Sequence, residues 1–180
     1  MKLFKKDEKV LAEIQRMQPS DDLSITSLIM AQAFINWHKA FLRELSPFEL
    51  TYSQWIMLQA LTMAGSPMSP TELNRYLTIE GTSISVVIDN LEKRGLVMRR
   101  RSQVDRRVVN VYLTERGYEL LKQVNQQINR LIEEVYGRLS ASERKDLVRL
   151  SRKVRDESIR KIGGNPEVVD VILKKFIGID

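Results

Sequence analysis

From Ile84 to Leu91 the apolar residues Ile84, Val87, Ile88 and Leu91 recur at helical spacing, whereas from Val108 to Leu113 the side chains follow a period of two. One period writes a helix with one buried face, the other a β-branched strand. Gly95 stands between them, where a helix ends on a left-handed cap. Leu96, Val97 and Met98 then lead into an arginine run, a turn at 102–107 and the second apolar run, which together predict a β-hairpin. The remaining apolar pattern is helical. The chain is therefore read as mainly α, carrying a two-stranded β-wing.

The helical part divides at its breakers. Val10, Leu11, Ile14 and Met17 predict a short amphipathic helix over 5–18, ended by Pro19. Asp21 and Asp22 open a second helix with Ile25, Leu28, Ile29, Phe34, Ile35, Trp37, Phe41, Leu42 and Leu45. That apolar face is too wide for a helix lying on one core, and it predicts a helix clasped by a second subunit. Ser46-Pro47 stops it. Three capping boxes follow: Thr51 with Gln54, Ser69 with Glu72, and Ser140 with Glu143. The first two open helices on either side of the Gly65-Ser66-Pro67 break. Gly81 marks a turn at 78–82, and a helix is expected from Thr82 to Arg94. Thr114 caps a long helix with a heptad-like stripe of Leu121, Val124, Ile128, Leu131 and Val135. Leu147, Leu150 and Val154 mark another helix, Gly163-Gly164 breaks it, and Pro166 to Phe176 reads as a last short one. The expected organisation is an extension over 1–22, a dimerisation helix over 23–49, a helix-and-hairpin region over 50–114, dimerisation helices over 115–162 and an extension over 163–180.

Charge is concentrated. The chain has 180 residues and a net charge of +6. Lys93, Arg94, Arg99, Arg100, Arg101, Arg106 and Arg107 face a single acid, Asp105, so the stretch from 93 to 107 carries that whole net charge. Such a patch predicts a polyanionic partner. There is no cysteine, which excludes disulfides, thiol catalysis and thiol redox sensing, and the lone histidine, His38, rules out a multi-histidine zinc site in one chain. No phosphate-cradling glycine loop or clustered catalytic motif is present, so neither an enzyme nor a cofactor or metal is expected. The longest charge-free run, 50–71, holds Gln54, Gln59, Gly65, Pro67 and Pro70 and is unsuited to a membrane span. The opening MKLFKKDEKV is too charged for a signal peptide. A cytoplasmic protein is the expectation.

Helix, turn, helix, hairpin is the order of a winged helix-turn-helix. The second helix would present Thr82, Ser83, Ser85, Val86, Asp89, Asn90 and Lys93. Hydroxyls and Asn90 suit phosphates and base edges, and Val86 suits a thymine methyl. Arg99, Arg100, Arg101, Arg106 and Arg107 would carry the cationic wing. A protein- or RNA-interaction module without promoter specificity is the competing reading of the same basic hairpin.

The run LEKRGLVMRRRSQVDRRVVNVYLTERG, from Leu91 to Gly117, resembles the winged-helix core of the MarR family of bacterial transcription regulators. Its matched features are Leu-Glu-Lys-Arg-Gly-Leu-Val, Asp-Arg-Arg and Leu-Thr-Glu-Arg-Gly. LTYSQWIMLQAL resembles the family helix that precedes them. The resemblance spans roughly 24–160. It implies a homodimer with interlocked terminal helices, usually a repressor, on a pseudo-palindromic double-stranded operator. By that match Asp105 braces the wing and Arg107 enters the minor groove. Ser102 departs from the acid many members carry, and Val86 from a recognition-helix arginine. The resemblance also implies a small aromatic or phenolic ligand. Trp37, His38, Phe41, Tyr52, Trp55 and Met63 could line its cavity, although aromatics and methionines at this spacing equally suit a packed core.

Overall fold

The computed structural model describes residues 22–76, 83–102 and 107–177. The expected 5–18 helix, the Gly81 turn, Thr82, Asp105 and Arg106 lie outside the described residues. The described residues form two units divided between Ala40 and Phe41.

The first unit holds most of α1 (Asp22–Leu45). Here Leu23, Ile25, Leu28, Ile29, Phe34 and Ile35 are all exposed. The Phe34 and His38 rings stack with centroids 6.0 Å apart.

The second unit starts with the buried Phe41 and Leu45. A single 3-10 turn, Ser46–Phe48, follows at the expected Ser-Pro stop. Thr51 then opens α2 (Tyr52–Ala64): its hydroxyl accepts from the Gln54 N–H, and the Gln54 side chain accepts from the Thr51 N–H. Gly65, at φ +60°, ends the helix in the left-handed conformation that glycine adopts without strain. The Ser69–Glu72 box opens α3 (Pro70–Tyr76) in the same way. Next come α4 (Ile84–Lys93), β1 (Val97–Arg101) and β2 (Val109–Leu113). The strands pair antiparallel, with Val97 opposite Leu113 and Arg99 opposite Val111. Met68 adds a short third arm by exchanging backbone hydrogen bonds with Val111 at 3.2 and 2.8 Å, a pairing with no periodic signal in the sequence. The long helix α5 (Glu115–Tyr136) starts on the Thr114 cap, α6 (Ala141–Lys161) on the Ser140–Glu143 box, and α7 (Pro166–Ile177) completes the chain's described part.

The core joins these pieces. Met57 and Leu58 of α2, Leu73 of α3, Ile88 and Leu91 of α4, Val97 and Val111 of the wing, and Leu121 and Val124 of α5 are all essentially inaccessible. Each such aliphatic contributes about 1.5–3 kcal/mol by leaving water. The fold is mainly helical with a two-stranded antiparallel wing, as expected. The α5 stripe is buried through Leu131, but Val135 is exposed. No residue of α6 is buried; Leu147, Leu150 and Val154 face outward from this chain. Among the described residues, no helix is long and apolar enough to cross a membrane.

Candidate nucleic-acid interface

Helix α4 has the two faces its sequence requires. Ile84, Val87, Ile88 and Leu91 are buried against the lobe, while Ser83, Ser85, Val86, Asp89, Asn90 and Lys93 are exposed. Ser83 is the N-cap residue, yet its hydroxyl makes no capping bond to the helix. After Lys93 the chain turns through Gly95, at φ +70°, and enters β1.

The cationic run divides into two populations. Arg94 is spent on the fold: its guanidinium donates to the Glu49 carbonyl at 2.6 Å and the Phe48 carbonyl at 2.9 Å, where the turn after α1 leaves acceptors unsatisfied. Arg99 is committed to α4. Its Nη2 lies 2.6 Å from Asp89 Oδ1 and its Nη1 2.6 Å from Glu92 Oε2. Partial burial alone would lower the Arg99 guanidinium, but the hydrogen bonds and charges of Asp89 and Glu92 hold it above its ordinary value. The free wing cation expected at Arg99 is thus an ion-paired one. Parity explains it: Arg99 shares the inner face of β1 with Val97 and opposes Val111, so its side chain turns towards α4. That parity was available in the sequence.

Lys93, Arg100, Arg101 and Arg107 remain exposed. Arg100 lies over the Tyr112 ring, 5.9 Å from its centroid, a cation–π contact that holds its stem along the outer face of the wing. The α4 surface and the exposed wing arginines therefore adjoin through Gly95 and β1. Among the described residues, no group of acids and histidines is arranged to hold a metal.

The aromatic residues form a packed cluster. Phe41 meets Trp55 edge-on with centroids 4.8 Å apart, and Tyr52 lies 5.8 Å from each. The Trp55 indole N–H donates to Asn125 Oδ1 at 3.3 Å, and Gln59 donates to the same oxygen at 2.9 Å. Burial pushes the Tyr52 phenol above its ordinary value. Trp37 and His38 belong to the first unit. The signal for the Asn125–Gln59 pair was absent from the sequence reading, because two polar residues on amphipathic helices show no partner until the helices pack.

Comparison with known proteins agrees with this geometry. Residues 48–108 match the model of the MarR family, which takes in the helix-turn-helix and the first strand of the wing. A variant of MarR from E. coli complexed with operator DNA is 26% identical, covers 74% of this chain and 99% of its own, and superposes with a TM-score of 0.60. The fold is that of the MarR-family regulators. BpsR of Bordetella bronchiseptica, whose DNA binding is regulated by 6-hydroxynicotinic acid, is 25% identical over 77% of this chain and 98% of its own, with a TM-score of 0.64. The organohalide-sensing regulator RdhR, solved with 2,4-dichlorophenol, shares the fold at 20% identity, with 78% of this chain and 86% of its own covered and a TM-score of 0.64. The chain thus has the fold of a transcription regulator.

Proposed function

We propose that the chain is a homodimeric, sequence-specific DNA-binding repressor. The observation that carries the reading is the exposed α4 face adjoining a wing whose Arg100, Arg101 and Arg107 are exposed, on the fold of a relative complexed with operator DNA. Thr82, Ser83, Ser85, Val86 and Asn90 read base edges and the nearby phosphates. Lys93, Arg101, Arg106 and Arg107 supply phosphate and groove contacts, with Asp105 bracing the wing tip. The exposed apolar face of α1 and the outward leucines of α6 support pairing with a second copy. Two lobes on one duplex then require half-sites about one helical turn apart.

A small aromatic acid or phenol releases the protein from DNA. The regulation of BpsR by 6-hydroxynicotinic acid supports this class of ligand. Fluorescence anisotropy tests the whole reading, comparing the gene's own upstream region with random duplex at several salt concentrations, with and without 6-hydroxynicotinic acid. A large preference for the upstream duplex is expected, weakened by the acid. Equal binding to both duplexes at every salt would favour an interaction module without promoter specificity.

A further inference from the structure

Asp89 and Glu92 place two carboxylates on α4, the helix that meets an anionic duplex in the reading above. Asp89 is half exposed, on the same side as Ser85, Val86, Asn90 and Lys93. A carboxylate beside a phosphate backbone is repulsive. Both acids converge on one residue. The Arg99 guanidinium spans Asp89 Oδ1 and Glu92 Oε2, and the Arg99 backbone N–H donates to the other Glu92 oxygen, Oε1, at 2.9 Å. Glu92 is therefore held by the side chain and the main chain of the same strand residue. The planar fork of arginine is suited to engaging two acceptors at once, which a lysine ammonium does less well.

We propose that Arg99 is a positioning residue for DNA binding that acts through Asp89 and Glu92: it neutralises the carboxylates on α4 and fixes the base of the wing to that helix, without touching DNA. The proposal rests on the DNA-binding reading. Removing the Arg99 charge does more than subtract one cation, because it uncovers two anions on α4, one of them, Asp89, on the binding side. Neutralising those anions removes the need for Arg99. A direct phosphate contact behaves differently: its loss weakens binding by the same factor whatever residues 89 and 92 are.

The test is a double-mutant cycle on the full-length protein, using a duplex selected from random DNA by the parent and a scrambled control. Arg99→Gln is expected to lower affinity for the selected duplex by roughly tenfold or more, as uncovering a hydrogen-bonded charge pair does. In the Asp89→Asn/Glu92→Gln background the same change should alter affinity by less than about threefold, the sign of coupled sites. Arg99→Lys should fall between parent and Arg99→Gln. If Arg99→Gln alone does not fold, as read by its thermal melt, the comparison of the triple variant with Asp89→Asn/Glu92→Gln still decides. An equal Arg99→Gln penalty in both backgrounds, or none in the parent background, overturns the proposal while leaving DNA binding intact. A parent that selects no sequence and prefers no duplex overturns the DNA-binding reading and this proposal with it.

Discussion

A Cβ placed on Gly117 would lie 2.1 Å from the Leu96 carbonyl oxygen and 2.9 Å from Leu113 Cδ1. The first turn of α5 is thereby pressed onto the base of the wing. Thr114 secures the same joint, its hydroxyl accepting from the Gly117 N–H at 3.0 Å and donating to the Gly95 carbonyl at 2.8 Å. Backbone cannot yield as a flexible side chain does, so Gly117→Ala should destabilise the protein by about 1–3 kcal/mol or more, seen as a lower thermal midpoint. At the surface the effects should fall on DNA instead. Arg107 is exposed at the wing, and a dimer carries it twice. If both copies touch phosphate, Arg107→Ala should reduce the slope of log affinity against log salt by about 2. Ser85→Ala or Asn90→Ala should relax sequence choice within a half-site and leave that slope nearly unchanged. Binding isotherms for selected and random duplexes across salt separate these outcomes, and an Arg107→Ala protein that binds as the parent does at every salt would sink the wing assignment. Residue type alone could tell that Lys93, Arg101 and Arg107 are cations. It could not tell which cations the fold consumes: Arg94 reaches carbonyls more than forty positions away, a separation no local pattern encodes.

Secondary-structure elements were legible where their ends carry their own chemistry. The capping boxes at Thr51, Ser69 and Ser140 and the glycine after α4 are short-range signals, and each appears in the structure where the residues predict it. Met68 shows the converse. Its strand pairing with Val111 is made by backbone groups over a long separation, and a single residue has no period to read. The Ser140 box also gives α6 a pH dependence. The Ser140 hydroxyl, then the Ser140 N–H, hold the Glu143 carboxyl below its ordinary range. A depressed folded value means that this stabilisation is full above the ordinary carboxylate range and is lost as pH falls through the depressed value. Acidification should therefore loosen the first turn of α6, read from its backbone chemical shifts. Glu143→Gln should abolish that local titration, and Ser140→Ala should cost about 0.5–2 kcal/mol as other lost caps do.

At the scale of the molecule, helix α6 poses the largest question: a helix of 21 residues that buries none of them. Two of its salt bridges, Arg149 to Asp146 and Arg160 to Glu157, are exposed and contribute little by themselves, whereas Arg155 bridges both Asp156 and, on α7, Asp170 at 2.7 Å. Such a helix gains most of its stability from packing, and Leu147, Leu150 and Val154 remain partly exposed in a single copy. Amphipathic spacing reveals that a face is apolar but not whose atoms cover it, so this part of the architecture was legible only as a demand for a partner. The proposed second copy would meet that demand with the same surface on both sides. Light scattering should return a dimer at micromolar concentration, and the thermal midpoint should rise with protein concentration, since association stabilises only the folded chain. Leu150→Arg places a charge on the outward stripe of α6 without disturbing the buried lobe core. It should shift the protein towards monomer and weaken operator binding, because two half-sites would no longer be joined, while the lobe's near-ultraviolet signal from Trp55 stays unchanged. A Leu150→Arg protein that remains a dimer with parental affinity would show that α6 lies outside the interface. A parent that scatters as a stable monomer would refute the homodimer itself.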